Sequence, residues 1–216
     1  TAAVILETIQ GGAGFIVPKD GYLKKVKQRC EEVGALLIVD EIQTGIGRTG
    51  KFWGFEHFKI IPDIIISGKG LGGGMPIGAF IAQKNLMDVL KEHPTLGHIT
   101  TFGGHPVIAS AGVATVNTIQ NSTLIEDTLE KEQLIRSLLK HPLIKEIRGK
   151  GLMLAVLVES PEIAAKIIHR CLANGLILFF LLFEGRAIRI TPPLTISKKE
   201  ISKGCKILLE TLDELS

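Results

Sequence analysis

The chain is short of cysteine, of net charge and of long apolar runs, and each shortage excludes a class of protein. Its three cysteines, Cys30, Cys171 and Cys205, are far apart and odd in number. No C-x-x-C pair or Cys/His cluster occurs, so neither a disulfide framework nor a metal site is expected. Each cysteine falls at an apolar position of an expected helix, which reads as core packing in a reducing, cytoplasmic compartment. Basic residues number 25 and acidic ones 22, a net charge of +3. That is too slight to suggest a nucleic acid or a membrane surface as partner. The run "KKVKQR" at 24–29 reads as a solvated helix face. The apolar run "LILFFLLF" at 176–183 is too short to cross a bilayer. Glu184-Gly185 follows it, so a buried strand over 176–182 and a turn are expected. No signal-peptide pattern, internal repeat or low-complexity segment is recognisable. The chain also lacks an initiator Met and enters a core-like strand at once, so it is expected to be the later part of a longer protein.

What remains is an ordinary globular composition, 45% hydrophobic and 22% charged, with enough apolar residues for a sizeable core. "AAVIL" at 2–6, "ALLIV" at 35–39 and "DIII" at 63–66 read as buried strands. Between the first two, Asp20 is placed to cap a helix with Leu23, Val26, Cys30 and Val33 on one face, closed by Gly34. Strand, helix, strand implies a right-handed parallel crossover covered on both faces. "IGAFIA" at 77–82 is a further strand. From 106 the pattern turns helical: a small, apolar helix that reads as buried, then an amphipathic one over 123–140. A smaller α+β unit follows, with strands near 145–149, 152–158, 176–182 and 186–191. Its helices start at Ser160-Pro161 and at the capping box Ser197–Glu200. The expected division is 1–122 and 123–216.

In parallel sheets chemistry gathers past the carboxyl ends of the strands. Here the first strand ends at Glu7, the second at Asp40-Glu41 and the third at Ser67-Gly68-Lys69, inside the glycine-rich "SGKGLGGGMPIGA". A phosphate loop would need Gly where Asp63 stands and Ser or Thr where Gly70 stands, so that pattern fails. The dinucleotide pattern G-x-G-x-x-G is met by Gly68, Gly70 and Gly73, with Asp88 further on. That loop must open into a helix, whereas Met75-Pro76 and a strand follow here. Two readings of Lys69 stand on spacing alone. In one, Lys69 forms a Schiff base with pyridoxal phosphate and Asp40 partners the pyridinium nitrogen. In the other, Asp40 caps a loop and Lys69 is solvated.

The longer blocks narrow the choice. "LLIVDEIQTGIGRTGKFWGFE" (36–56), "PDIIISGKGLGGGMPIGAF" (62–80) and "GHITTFGGHP" (97–106) resemble, in order and spacing, the signature blocks of class III, or ω-, aminotransferases. "AVILETIQGGAGFIVPKDGYL" (3–23) and "AIRITPPLTIS" (187–197) resemble the flanking blocks. The resemblance covers essentially the whole chain. It implies an α/β, fold-type I architecture: a large, mostly parallel sheet domain that binds pyridoxal 5'-phosphate, a small α+β C-terminal domain, and a homodimer with a shared active site.

By the same resemblance Lys69 is the Schiff-base lysine that later moves the substrate proton, and Asp40 keeps the ring nitrogen protonated. Ile42 packs against the ring, Gln43 bonds its phenolic oxygen, and Thr101 binds the phosphate of the cofactor held mainly by the partner subunit. Glu7 matches an active-site acid, and Arg189 an arginine that meets a substrate carboxylate. The implied reaction moves an amino group from an acetylornithine-, ornithine-, lysine- or 4-aminobutyrate-type donor to 2-oxoglutarate or a similar oxo acid. A racemase, mutase or decarboxylase on the same scaffold, or an inactive homologue, is the alternative. Gly12 departs from the ornithine-type members, which carry there an acid that pairs with the arginine. His105 stands where Asn is common, and Gly68 where Ala is. The family's phosphate cup and ring-stacking aromatic lie upstream, so the segment alone is expected to bind cofactor poorly.

Overall fold

The structure, a computed structural model, describes residues 1–92, 94–95 and 97–215. Two compact units divide the chain. Thr1–Thr8, Lys19–Ile46 and Trp53–Ser122 make the first; Ile9–Pro18, Gly47–Phe52 and Thr123–Ser216 make the second.

The first unit is built on a sheet of order β1 (Ala3–Glu7), β2 (Leu36–Asp40), β3 (Ile64–Ser67) and β4 (Ala79–Ala82). β1, β2 and β3 are parallel and β4 is antiparallel to β3. Alternate side chains of β2 are fully buried: Leu37 and Val39 pack with Leu23 and Cys30 of helix α1 (Tyr22–Val33). Gly34, at φ 69, closes that helix as expected. Its start differs from expectation. Gly21, not Asp20, is the N-cap, at φ 77 with no side-chain cap bond. The Tyr22 N–H to Lys19 carbonyl turn brings the chain in through a left-handed residue, a conformation that favours glycine over aspartate. Asp63 then ties helix to sheet, accepting from Lys27 Nζ at 3.0 Å and from Leu37 N–H at 2.7 Å.

Two helices complete this unit, α2 (Lys84–Asp88) and α3 (Pro106–Gln120). The small apolar α3 was expected to be buried, yet only Gly112 and Ile119 are, while Val107 and Val113 are 57% and 60% exposed. Its composition marks a face that needs cover; within this unit that cover is partial. α3 does pack on the glycine-rich run. Gly73 has φ 56, and a Cβ there would collide with Thr115 Oγ1.

The second unit holds an antiparallel sheet of order β5 (Glu146–Lys150), β6 (Met153–Leu157), β8 (Ala187–Ile190), β7 (Phe179–Phe180). β6 is buried along its whole length because each of its faces feeds a different core. Leu154 and Val156 pack with α4 (Leu124–Leu138), α5 (Pro161–Ala173) and α6 (Lys198–Asp213) through Ile135, Ile167 and Leu208. Met153, Ala155 and Leu157 pack on Ile9 and Phe15. The caps follow the sequence: Ser160 accepts from Ile163 N–H, and Ser197 with Glu200 forms the capping box. The expected strand over 176–182 shrinks to Phe179–Phe180, both exposed, as are Leu182 and Phe183. A continuous apolar run carries no period that tells strand from loop.

All three cysteines are buried. Burial pushes the Cys205 thiol up to about 11. It raises Cys171 as well, against the pull of a hydrogen bond to Thr211 Oγ1. Since the thiolate is the reactive form, iodoacetamide at pH 8 should leave Cys171 and Cys205 unmodified in the folded protein and label both in guanidinium. Peptide mapping reads the outcome, and rapid native labelling of either would contradict the packing of α5 and α6.

Candidate active site

The parallel register aligns the ends of the first three strands. Glu7 pairs with Asp40, and Asp40 pairs with Ile66, one residue before Ser67. Residues in register share a sheet face. Glu7 and Asp40 therefore lie on the half-open face, opposite Leu37 and Val39. The Ile42 N–H donates to Asp40 Oδ1 at 2.9 Å, which orients the carboxylate and leaves Oδ2 for a ligand. Ile42 reaches the next strand end: a Cβ on Gly68 would sit 3.7 Å from both of its γ carbons. Gln43 is half-buried in the same turn.

Lys69 opens a single 3₁₀ turn, Lys69–Gly72, with its backbone in the left-handed region at φ 41. Ile46, a β-branched residue, is also left-handed at φ 56, and it sits 3.6 Å from where a Cβ on Gly70 would be. Such conformations persist in non-glycine residues only where the surroundings enforce them, and they gather at functional sites. No helix follows the turn: the chain passes through Met75 and Pro76 to β4. A pyrophosphate-binding helix is thus missing where the dinucleotide pattern would need one.

The structure brings Glu7, Asp40, Ile42 and Lys69 to one sheet edge, with Gln43 beside them. Thr101 is exposed in the loop before α3, with no described hydrogen bond to that edge. Arg189 belongs to the second unit, on β8, where its Nε donates to Thr191 Oγ1 at 2.9 Å. Gly12, in the same unit, has no room for the acid expected of ornithine-type members unless Phe183 moves. A Cβ there would lie 3.1 Å from that ring.

The sequence pattern marks Glu41 as a strand-end acid but not its partners. Glu41 is fully buried and accepts four hydrogen bonds: Thr8 Oγ1 and Phe55 N–H (2.9 Å) on one oxygen, Thr44 Oγ1 (2.7 Å) and Gly54 N–H (2.7 Å) on the other. Burial pushes its carboxyl above the usual range, and the four donors pull it partway back. Gly45 closes the loop. A Cβ there would come within 2.8 Å of the Glu41 carbonyl and 2.9 Å of the Trp53 ring. The sequence signal was an acid two residues beyond the buried Val39, the spacing that keeps it on the covered side. Ser67 was also passed over; its Oγ is buried with no hydrogen-bond partner among the described residues.

Replacing Glu41 with Gln puts an amide donor against a backbone N–H. We expect a loss of about 1–3 kcal/mol in denaturant unfolding. Unchanged stability would show that the four contacts do not hold the loop.

The sequence matches the family model described as aminotransferase class-III over residues 1–212. It is 42% identical over 222 residues to a putrescine aminotransferase of Pectobacterium atrosepticum, covering 100% of this chain and 47% of that protein. It is 41% identical over 216 residues to a leucine/methionine racemase of Thermococcus litoralis, covering 94% and 48%. Among solved structures, an ornithine aminotransferase from Toxoplasma gondii, with partial occupancy of PLP at its active site, matches with a TM-score of 0.91. The identity there is 36%, over 99% of this chain and 51% of that one. The chain spans about half the length of these relatives. With an α/β fold of that TM-score and a family match along nearly its whole length, the chain belongs to the class-III aminotransferases.

Proposed function

We propose that this chain supplies much of the active site of an ω-aminotransferase, a cytoplasmic homodimer with a shared site. In this reading residues 1–122 are part of the large cofactor domain and 123–216 the small domain. Among the described residues no helix is long and apolar enough to cross a membrane. The observation that carries the reading is the placement of Asp40 and Lys69 at adjacent strand ends, one a carboxylate oriented by a backbone N–H, the other a lysine held in a strained turn.

Pyridoxal phosphate is the cofactor of this family, and the residues present fit it. An oriented carboxylate suits a protonated ring nitrogen, and a lysine amine in reach of the same sheet edge suits its aldehyde carbon. When bound, that ring takes up the electron pair released at the substrate carbon. Asp40 holds the ring-nitrogen proton in place. The Lys69 amine would hold the cofactor and, with substrate present, would serve as the base that carries the proton. Ile42 gives the ring an apolar face, and Gln43 donates to its phenolic oxygen. Thr101 holds the phosphate of the cofactor in the partner subunit. Glu7 and Arg189 meet substrate, Arg189 through a carboxylate. The donor is a terminal amine and the acceptor 2-oxoglutarate or a similar oxo acid. A second reading, amino-acid racemisation, is favoured by the similarity to a leucine/methionine racemase.

A donor screen on the full-length protein separates the two. We expect glutamate to form from 2-oxoglutarate with putrescine, acetylornithine or 4-aminobutyrate. Racemised leucine or methionine without glutamate would give the second reading. Lys69→Ala should lower kcat by about 10²–10⁴-fold or more; wild-type turnover in that variant would remove Lys69 from its role.

A further inference from the structure

Beyond the strand-end residues, the second unit holds two cations that the proposed reaction does not use. Arg48 is half-buried, and Lys131, on α4, is 6% exposed. A buried lysine is costly unless its donors are met. Both spend theirs on one short segment. Arg48 Nη1 donates to the Pro192 carbonyl at 2.5 Å, and Lys131 Nζ to the Leu194 carbonyl at 2.6 Å. The carbonyl between them, of Pro193, accepts from Ile196 N–H at 3.1 Å.

That segment is what Arg189 runs into. β8 ends at Ile190, and Thr191-Pro192-Pro193-Leu194 follows. Prolines have no N–H to offer a neighbouring strand, so the ladder stops and the carbonyls must find side-chain donors. Thr191, the first residue of the segment, takes the Arg189 Nε hydrogen bond. Arg48 is itself fixed in both directions: its Nη1 also donates to the Leu152 carbonyl at 3.2 Å, and its own carbonyl accepts from Leu152 N–H at 3.0 Å.

We propose that Arg48 and Lys131 are positioning residues for Arg189, clamping the Pro192 and Leu194 carbonyls so that the segment holding Thr191, and with it the Arg189 guanidinium, stands where a substrate carboxylate can meet it. The proposal rests on the reading of Arg189 as the carboxylate contact. A charge-assisted bond is shorter and stronger than a neutral one, which suits a segment with no ladder of its own. The clamp also adds a field. Arg48 and Arg189 are near enough to repel: burial first, and Arg189 second, bring the Arg48 guanidinium down to about 10. Arg48 is charged at neutral pH, so an arriving carboxylate meets the field of two positive groups.

The test is a double-mutant cycle on the full-length enzyme, with 2-oxoglutarate and a carboxylate-free aldehyde as alternative acceptors. Arg189→Met should lower kcat/KM for the oxo acid about 10²-fold more than for the aldehyde. Arg48→Met should show the same preference at about tenfold, and Lys131→Met at roughly threefold. In the double variant Arg48→Met/Arg189→Met the loss should be no larger than in Arg189→Met alone. Equal losses on both acceptors, or additive losses in the double variant, overturn the proposal and leave Arg48 as plain scaffold. If Arg189→Met itself fails to distinguish the acceptors, the reading of Arg189 falls, and the clamp with it. Should Arg48→Met not fold, Arg48→Lys, which keeps the charge but reaches one carbonyl, and Lys131→Met carry the same comparison.

Discussion

A carboxylate taken out of water must be surrounded by donors, and in the first unit Glu41 is. Its two oxygens draw in Thr8 from beyond β1, Thr44 from the loop after β2, and the backbone of Gly54 and Phe55. Breaking any of these leaves a buried donor unmet, a penalty of about 1–3 kcal/mol each. The path of residues 41–46 is therefore dictated from the covered side of the sheet. Asp40 lies on the opposite, half-open face. The two adjacent acids differ by strand parity: Glu41 is buried and holds the loop, and Asp40 is half-buried on the opposite face of the sheet.

The same need recurs in the second unit with the signs reversed. There the unmet groups are carbonyls, stranded because two prolines end the ladder after β8, and the donors are Arg48 and Lys131. In both places an irregular segment is fixed by the hydrogen bonds of a charged side chain, from within the loop at Glu41 and from distant parts of the chain at Arg48 and Lys131.

How much of this the sequence shows depends on range. The strands β1, β2 and β3 are short apolar runs that stop at a polar residue, so their ends, and Asp40 and Lys69 with them, can be read directly. The caps at Ser160 and Ser197 are local and are legible for the same reason. The roles given to Ile42, Gln43, Thr101, Glu7 and Arg189 come from resemblance to a family, not from their spacing. Asp20 misled because a left-handed turn, invisible in a residue pattern, passes the cap to Gly21. The run at 176–183 misled because unbroken apolarity has no period. Glu41 and Arg48 were out of reach because their partners are far away in the chain. Thr8 lies 33 residues from Glu41, and Pro192 lies 144 from Arg48.

The central claim is that the lysine of "SGKGLGGG" carries the cofactor. Full-length protein purified with bound pyridoxal phosphate can be treated with borohydride, digested, and mapped by mass spectrometry. The account predicts a single pyridoxylated peptide, modified at Lys69, and loss of that peptide when substrate amine is added before reduction. A pyridoxyl group on another lysine, with Lys69 unmodified, would contradict it.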